Sequence, residues 1–266
     1  MRTFRLTTVA LLALGALAIP ATAVAKPTIT LSGSTSVAPL ASKLAQAYVK
    51  KHKVRFKILQ GGSDIGVNDV AHGRVTLGMS SRDPLPSDPG GLQFNRIARD
   101  GICVATNPGN PIANLSQEQI QGIFSGRVRS WSQVPGARTG GTIDLIVRNA
   151  ASGTQDAFQN IFMGQNLRVA PSASQKPSNG RVQQSIASDK NAIGYVDFNF
   201  TRGLHTVPYK GVSCSLRNAK SGQYGGIRNF WLVSRGKAKG PAAAWIKWIR
   251  SAAARRIIAS NWVPIK

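Results

Sequence analysis

The sequence has few acidic residues, few histidines and few cysteines, and each shortage excludes a class of function. Of its 266 residues, 10 are Asp or Glu and 34 are Lys or Arg, which gives a net charge of +24. Neither a CxxC nor an HExxH pattern occurs, and the three histidines are scattered along the chain. We therefore predict no metal site and no cofactor, and we expect so basic a chain to attract anions.

Long apolar runs are also absent, except for one near the start. Arg2 and Arg5 precede the apolar stretch 9–19, and Ala23-Val24-Ala25 has the small residues of a cleavage site. The apolar stretch is too short to span a membrane comfortably, so we predict a signal peptide over residues 1–25. No cysteine lies near the predicted cleavage site. We expect export to a periplasmic, extracellular or cell-wall location without a lipid anchor.

The chain contains two cysteines, Cys103 and Cys214. In an exported protein an even number of cysteines suggests disulfide bonding, and two cysteines allow one intramolecular pairing. The enclosed loop would be more than a hundred residues long, for which chain entropy predicts a stabilisation of roughly 4–5 kcal/mol. Cys103 and Cys214 are therefore a candidate disulfide.

From Thr28 onwards, strand-like runs alternate with helical patterns, which is typical of an α/β protein with a mostly parallel sheet. The predicted strands are 28–31, 54–59, 75–80, 101–106, 142–147, 192–198, 204–207 and 229–233. The last predicted helix runs from about residue 242 to about residue 260, with Trp245 and Ile249 on its apolar face. Ligands of such sheets bind at the carboxyl ends of the strands, so the loops there are the candidate site.

Three loops at predicted strand ends share one design, in which small and hydroxyl residues open a helix. They are the segments 31–40 (LSGSTSVAPL), 60–66 (QGGSDIG) and 148–158 (RNAASGTQDAF). Free N–H groups at a helix start, together with the positive end of the helix dipole, favour an anion. Arg148 in the third loop adds a guanidinium suited to bidentate contact with a tetrahedral oxyanion. Together the three loops predict a site for a small anion.

With GMSSRDP (78–84) and AIGYVDF (192–198), these loops resemble, in order and spacing, the phosphate-binding proteins of bacterial ABC import systems. The resemblance implies a two-lobed type 2 periplasmic-binding-protein fold, with mixed, mostly parallel sheets flanked by helices and two crossing strands as a hinge. It places residues 26–105 and 204–266 in the first lobe and residues 106–203 in the second. It implies a monomeric receptor, not an enzyme, that closes on inorganic phosphate and delivers it to an ABC permease.

The resemblance also implies which residues contact phosphate. The first lobe would supply Thr35, Ser36, Ser63 and Ser81, and the second lobe Arg148, Ser152, Gly153 and Thr154. Many members of the family have an aspartate in the place of Ser81, where its carboxylate accepts the proton of hydrogen phosphate. Since a serine stands there, selectivity against sulfate is open, and Asp64 and Asp83 are the possible replacement acceptors. If these two aspartates have only structural roles, Asp83 would begin a turn before Pro84 and Asp64 would cap a helix or lie in its first turn.

Other functions remain open at this point. The absent carboxylate permits a receptor for sulfate or molybdate, and the basic C-terminal third, which has no acidic residue after Asp197, permits a module that binds or senses an envelope polyanion. An exported protein would meet anionic cell-wall polymers before nucleic acid, so we predict no nucleic-acid partner. Lys220-Ser221-Gly222 and the Ser-x-x-Lys spacing from Ser234 to Lys237 resemble motifs of penicillin-binding enzymes, but in reversed order. We therefore predict no catalytic residues.

Overall fold

The computed structural model describes residues 25–265, so the predicted signal peptide lies outside the described residues apart from Ala25. One sheet joins nine strands in the spatial order β2-β1-β3-β9-β4-β7-β5-β6, and β8 pairs with β4. The strands are β1 (Thr28–Gly33), β2 (Arg55–Ile58), β3 (Leu77–Ser80), β4 (Leu92–Thr106), β5 (Asp144–Arg148), β6 (Ser174–Lys176), β7 (Ala192–Asp197), β8 (His205–Thr206) and β9 (Ile227–Arg235).

Helices cover the sheet and follow several strand ends. They are α1 (Val37–Val49), α2 (Ser63–Ala71), α3 (Gln117–Phe124), α4 (Gly153–Phe158), α5 (Asn179–Ser188), α6 (Leu216–Ser221), α7 (Gly240–Ile249) and α8 (Ala252–Asn261). A π-helical turn, Gln159–Met163, continues α4, and short 3-10 helices span Trp131–Gln133 and Phe198–Phe200. The helix α1 forms because Leu40, Leu44 and Tyr48 recur at helical spacing and are all buried.

Pairing is parallel at both ends of the strand order and antiparallel in the middle. The strand β1 runs parallel to β2 and β3, and β5 runs parallel to β6 and β7. The long strand β4 links these halves, since its residues 92–101 pair antiparallel with β9 and its residues 102–106 pair antiparallel with β7. The carboxyl ends of β1, β3 and β5 therefore face the middle of the molecule from two sides.

Two large hydrophobic cores share β4, whose residues 97–98 belong to one core and 102–104 to the other. One contains Leu31, Leu44 and Trp245, and the other contains Phe158 and Tyr195. Val207, Tyr209, Cys214 and Tyr224 belong to the second core, although the sequence-based division placed residues 204–266 with the first. This difference arises because β8 pairs with the end of β4 that belongs to the second half of the sheet.

Two predicted elements are wrong in extent. The predicted strand 101–106 is the last part of β4, which begins at Leu92 because its antiparallel pairing with β9 extends it. The predicted single last helix is two helices, α7 and α8. Ser251 between them has an extended backbone, and its side chain accepts a hydrogen bond from the Ala254 N–H, which starts a new helix.

Candidate functional site

Side chains from both halves of the sheet meet in a buried cluster of hydroxyl groups. This hydroxyl cluster consists of Ser34, Thr35, Ser36, Ser63, Ser81 and Thr154, all of which are buried. The Ser36 and Thr154 hydroxyls lie 3.1 Å apart, although 118 positions separate the two residues in the chain. Loops that follow β1, β2, β3 and β5 thus converge, and they include the three loops (31–40, 60–66 and 148–158) that the sequence predicted at the carboxyl edge of the sheet.

Within the first half, the loop hydroxyls hold one another. The Ser34 hydroxyl donates to Ser81 Oγ at 2.9 Å, and the Ser63 and Ser81 oxygens are 3.3 Å apart. The Ser81 N–H donates to Ser63 Oγ at 3.0 Å. Hydroxyl groups can donate as well as accept, so these side chains can turn their protons towards an anion.

Arg148 is buried at the end of β5 and is held in a fixed orientation. Its Nη1 donates to Thr35 Oγ1 at 3.2 Å, and its Nε and Nη2 donate to the backbone carbonyls of Lys176 and Pro177 at 3.2 and 3.0 Å. Burial lowers the pKa of Arg148 to about 10, so the side chain remains cationic at neutral pH. The predicted cation therefore lies beside the hydroxyl cluster.

The start of α4 brings Ser152, Gly153 and Thr154 against the first half of the sheet. Ser152 caps the helix, since its side chain accepts a hydrogen bond from the Thr154 N–H at 3.2 Å. Gly153 has no room for a side chain, because a Cβ there would clash with Ser63 Oγ and would lie 2.8 Å from the backbone nitrogen of Arg82. This close approach of the two halves explains why glycine occupies the position.

A second buried arginine, which the sequence analysis did not identify, contacts more of the cluster than Arg148 does. Arg228 Nη1 donates to Thr154 Oγ1 at 2.7 Å and to Ser81 Oγ at 3.3 Å, and its Nη2 donates to Ser36 Oγ at 2.8 Å. Arg228 thus touches hydroxyl groups from both halves of the sheet. The site has two cations, whereas motif reasoning supplied one.

Arg228 is paired with two buried carboxylates, Asp100 and Asp197. Their Oδ2 atoms lie 3.1 and 3.5 Å from Arg228 Nη2. Burial, and then repulsion from Asp197, raise the pKa of Asp100 well above its usual range, against the attraction of Arg228. Burial also raises the pKa of Asp197, and the Arg228 charge opposes that shift. We call Arg228, Asp100 and Asp197 the charge cluster.

Asn179, the first residue of α5, links the hydroxyl cluster to the charge cluster. Its Nδ2 donates to Ser36 Oγ at 2.7 Å, to Thr35 Oγ1 at 3.3 Å and to Asp197 Oδ2 at 3.1 Å. The sequence analysis did not identify Asn179, because this residue lies outside all of the motifs quoted there. The Ser178 N-cap that begins α5 is the signal that could have indicated a helix start there.

The two carboxylates proposed as replacement acceptors bond elsewhere. Asp64 accepts from Arg82 Nε at 2.7 Å, and Asp83 accepts from Asn229 Nδ2 at 2.9 Å and from Trp231 Nε1 at 3.0 Å. None of these bonds involves the hydroxyl cluster. Two other carboxylates, Asp100 and Asp197, are linked to the hydroxyl cluster, because each contacts Arg228 and Arg228 donates hydrogen bonds to that cluster.

Arg82 forms a second ionic group, at the edge of the contact between the two halves. It donates to Asp64 and to both carboxylate oxygens of Asp88, and Asp156 on α4 approaches its Nε at 3.6 Å. Although burial opposes its charge, the hydrogen bonds to Asp88 and Asp64 raise the pKa of Arg82. Burial, and then repulsion from Asp64, raise the pKa of Asp156 to about 6.

Cys103 on β4 and Cys214 are joined in a disulfide across 111 positions, so the candidate pair is bonded in the structure.

The serines of the two motifs that resemble penicillin-binding enzymes donate hydrogen bonds to nearby backbone carbonyls and not to a lysine. Ser221 donates to the Asn218 carbonyl at 3.1 Å, and Ser234 donates to the Gly236 carbonyl at 2.8 Å.

Between residues 25 and 265, no group of three or more metal-ligating side chains occurs. Over the same residues, none of the helices has both the length and the apolar character required to cross a membrane.

Comparison with known proteins identifies the family. A model of the PBP superfamily domain matches residues 18–253. The chain therefore belongs to the PBP superfamily, and its architecture is the type 2 periplasmic-binding-protein fold predicted from the sequence.

Named relatives are phosphate-binding proteins. The chain is 24% identical to the phosphate-binding protein PstS of Bacillus subtilis (strain 168) over 249 residues, which are 91% of this chain and 82% of that protein. It is also 27% identical to PstS of Staphylococcus aureus (strain USA300) over 178 residues. These residues cover 63% of this chain and 53% of that protein.

The chain is also similar in structure to solved proteins of phosphate transport systems. A putative phosphate ABC transporter substrate-binding protein from Clostridium perfringens, with bound phosphate, is 29% identical with a TM-score of 0.84, covering 90% of this chain and 100% of that one. An ABC-type phosphate transport receptor from Vibrio cholerae is 26% identical with a TM-score of 0.72, covering 89% of this chain and 100% of that one.

Proposed function

We propose that this protein is an exported receptor that binds inorganic phosphate between two lobes and delivers it to an ABC permease. The observation that carries the proposal is the convergence of hydroxyl groups from both halves of the sheet on Arg148 and Arg228, all of them buried. Hydroxyl and guanidinium donors gathered at one place suit a tetrahedral oxyanion. The relative from C. perfringens with bound phosphate supports the same ligand.

The contacts of the two halves support a hinged receptor. We propose that β4 and the segment between Tyr224 and Ile227 are the two crossings, so that residues 102–226 form the second lobe. The backbone N–H of Asp64 donates to the Ala151 carbonyl at 3.2 Å across the cleft, which is a contact that opening would break. Ligand enclosed in this way exchanges its water shell for protein donors.

The test is calorimetric titration of the mature chain, after bound phosphate has been removed, with phosphate and then with sulfate. Saturable binding of phosphate at one site, with weaker binding of sulfate, is expected. Equal binding of both would favour a general oxyanion receptor, for which Ser81 in place of a carboxylate is the supporting observation. Binding of neither anion would contradict the proposal.

We also propose that the basic surface contacts anionic polymers of the cell wall. A cavity of about 590 Å³ on the first half of the sheet is lined by Arg96, Arg250, Arg255 and Trp231, with no acidic residue among its lining. Cosedimentation of the protein with purified cell walls should fall steeply as salt rises, because exposed charges are screened. Retention that does not change with salt would contradict this contact.

A further inference from the structure

The first half of the sheet is much more basic than the second half. Residues 26–101 and 227–266 contain 20 Lys or Arg and 5 Asp or Glu, whereas residues 102–226 contain 12 Lys or Arg and 5 Asp or Glu. No acidic residue occurs from Lys26 to Ser63 or after Asp197. Most of the net positive charge of residues 26–266 therefore lies on one half of the molecule.

One end of this half collects many of the exposed cations. The strands β1 and β2 begin there, because Thr28 pairs with Arg55, and β9 ends there beside the start of β3, because these two strands are antiparallel. The exposed cations at this end, which we call the basic end, are Lys26, Lys50, Lys51, Lys53, Arg55, Arg74, Arg235, Lys237 and Lys239. The loops of the anion site follow the opposite ends of β1, β2 and β3.

The charges of the basic end are almost all uncompensated. Over residues 25–265, Arg74 is the single member that forms a salt bridge, with Asp69 at 2.8 Å. The strands β2, β1, β3 and β9 are consecutive neighbours in the sheet. Arg55 and the end of β9 are thus three strand spacings apart, or about 14 Å. The cations therefore form a broad patch instead of a line along one groove.

Protection of an edge strand explains only a small part of this patch. Basic residues on edge strands prevent pairing with other chains, and Arg55 on the edge strand β2 suits that role. Lys50, Lys51 and Lys53 precede β2, however, and Lys237 follows β9, which lies inside the sheet. Most of the basic end is therefore outside any strand edge.

Two features of the basic end suit the surface of a phospholipid membrane. A cavity of about 460 Å³ beside the end of β9 is lined by Arg235, Lys237 and Lys239, with no acidic residue among its lining, so it can accept a headgroup phosphate. Val49, the last residue of α1, is 42% exposed next to Lys50. Basic side chains around an exposed apolar one are typical of proteins that lie on anionic membranes.

We propose that the basic end binds the headgroups of an anionic lipid membrane, so that the protein lies on the membrane surface with its anion site on the opposite side. This inference goes beyond phosphate binding and depends on the proposed export only for the membrane that the protein would meet. A planar surface contacts a broad patch at the end of a lobe, whereas a linear polymer requires a continuous groove. The cleft would remain free to open and close on its ligand.

Cosedimentation with lipid vesicles tests the proposal. The mature chain should bind vesicles that contain phosphatidylglycerol and should not bind vesicles of phosphatidylcholine alone, because the attraction is to the lipid charge. Binding should fall steeply as salt rises, since exposed charges are screened. Phosphate affinity measured by calorimetry should agree within about twofold with and without anionic vesicles, because the two sites lie at opposite ends of the strands.

Two variants with the same loss of charge locate the contact. Replacing Lys50, Lys51, Lys53 and Arg55 by glutamine should weaken vesicle binding by at least about a hundredfold, since each basic side chain near an anionic surface contributes roughly fivefold. The matched control replaces four exposed cations of the second half by glutamine, and these are Arg127, Arg181, Lys190 and Arg202. The control should bind vesicles within about fivefold of the wild type.

A third variant tests the other side of the patch. Replacing Arg235, Lys237 and Lys239 together by glutamine should weaken vesicle binding by at least about twentyfold. Phosphate affinity should be retained in all three variants, and circular dichroism verifies that each is folded.

The outcomes separate this inference from the proposed function. Equal losses in the two fourfold variants would show that net charge alone attracts the vesicles, and equal binding to neutral vesicles would exclude an electrostatic contact. Either result overturns the proposal, as does retention on purified cell walls, without vesicle binding, that is lost in the basic-end variants. A wild type that binds anionic vesicles but not phosphate would overturn the proposed function and leave the membrane contact in place.

Discussion

Arg148 and Arg228 are both buried beside the hydroxyl cluster, but different partners hold them. Arg148 is fixed by Thr35 and by two backbone carbonyls, which carry no net charge. Arg228 is fixed by two carboxylates. The charge of Arg148 is therefore the less compensated of the two, and we expect it to contribute most of the electrostatic attraction for an anion.

Arg148→Ala should lower phosphate affinity by about a hundredfold or more, because each charge-assisted hydrogen bond contributes ~1.5–3 kcal/mol. Calorimetry of the phosphate-free protein measures the loss. Arg127→Ala, an exposed arginine after α3, is the control and should bind as the wild type does. Unchanged affinity in Arg148→Ala would show that the site is assigned wrongly.

Ser81 offers a test by gain of selectivity. In Ser81→Asp, a carboxylate would lie where the Ser81 hydroxyl now accepts from Ser34 and from Arg228. A carboxylate repels an anion that brings no proton, so we expect the ratio of phosphate to sulfate affinity to rise by about tenfold, or ~1.4 kcal/mol. Competition of sulfate against phosphate measures the ratio, and a fall in the ratio would contradict the prediction.

At the level of the elements, α4 acts as the part of the second half that docks on the first. Gly153→Ala should weaken phosphate binding while leaving thermal stability without ligand nearly unchanged, because the atoms that the added Cβ would approach, in Ser63, Ser81 and Arg82, all lie across the contact between the two halves. Gly180→Ala in α5 is the matched control, since a Cβ there has its nearest neighbour at 3.7 Å. Small-angle scattering with saturating phosphate should show a more open particle for Gly153→Ala than for the control.

The contact between α4 and Arg82 should also depend on pH. Asp156 has a pKa of about 6 in this closed arrangement, above the ordinary value for a free aspartate of about 4. A group whose pKa is raised on folding stabilises the fold below its free pKa, and that stability is lost as pH rises through the folded pKa. The closed form should therefore lose stability between about pH 4 and about pH 6 and change little above that.

Thermal unfolding with saturating phosphate, which holds the closed form, measures this dependence. Asp156→Asn should flatten the change in melting temperature over that pH range, because its side chain does not titrate. Asp189→Asn, after the end of α5, should keep the wild-type dependence. An Asp156→Asn profile identical to the wild type would exclude Asp156 as the source.

For the whole molecule, the disulfide between Cys103 and Cys214 ties β4 to the loop before α6. Replacing both cysteines by serine should lower the free energy of unfolding by about 4–5 kcal/mol, since the bond closes a loop of more than a hundred residues in the unfolded chain. Chemical denaturation of the oxidised protein and of the double variant measures the difference. Phosphate affinity should be retained, because neither sulfur contacts the hydroxyl cluster. A difference below ~1 kcal/mol would contradict the entropic account.

The local sequence pattern was sufficient to predict those site residues that lie in a single loop between a strand and the next helix. Three segments with hydroxyl residues after a strand and before a helix predicted Ser36, Ser63 and Thr154, and the structure brings them together at one edge of the sheet. The local alternation of strands and helices predicted an α/β sheet, and the type 2 fold was implied by the resemblance of the motifs and their order to a known family. These features could be predicted because each depends on neighbours within about ten residues.

Tertiary structure alone decided the charge cluster. Asp100 and Arg228 are 128 positions apart, and Asp100 lies inside a strand whose first half the sequence analysis did not detect. Their pairing depends on the antiparallel register of β4 and β9, which no local pattern specifies. The sequence determined which loops can hold an anion, and the meeting of three distant strands determined how much charge that anion encounters, because electrostatic energy depends on distance in space and not along the chain.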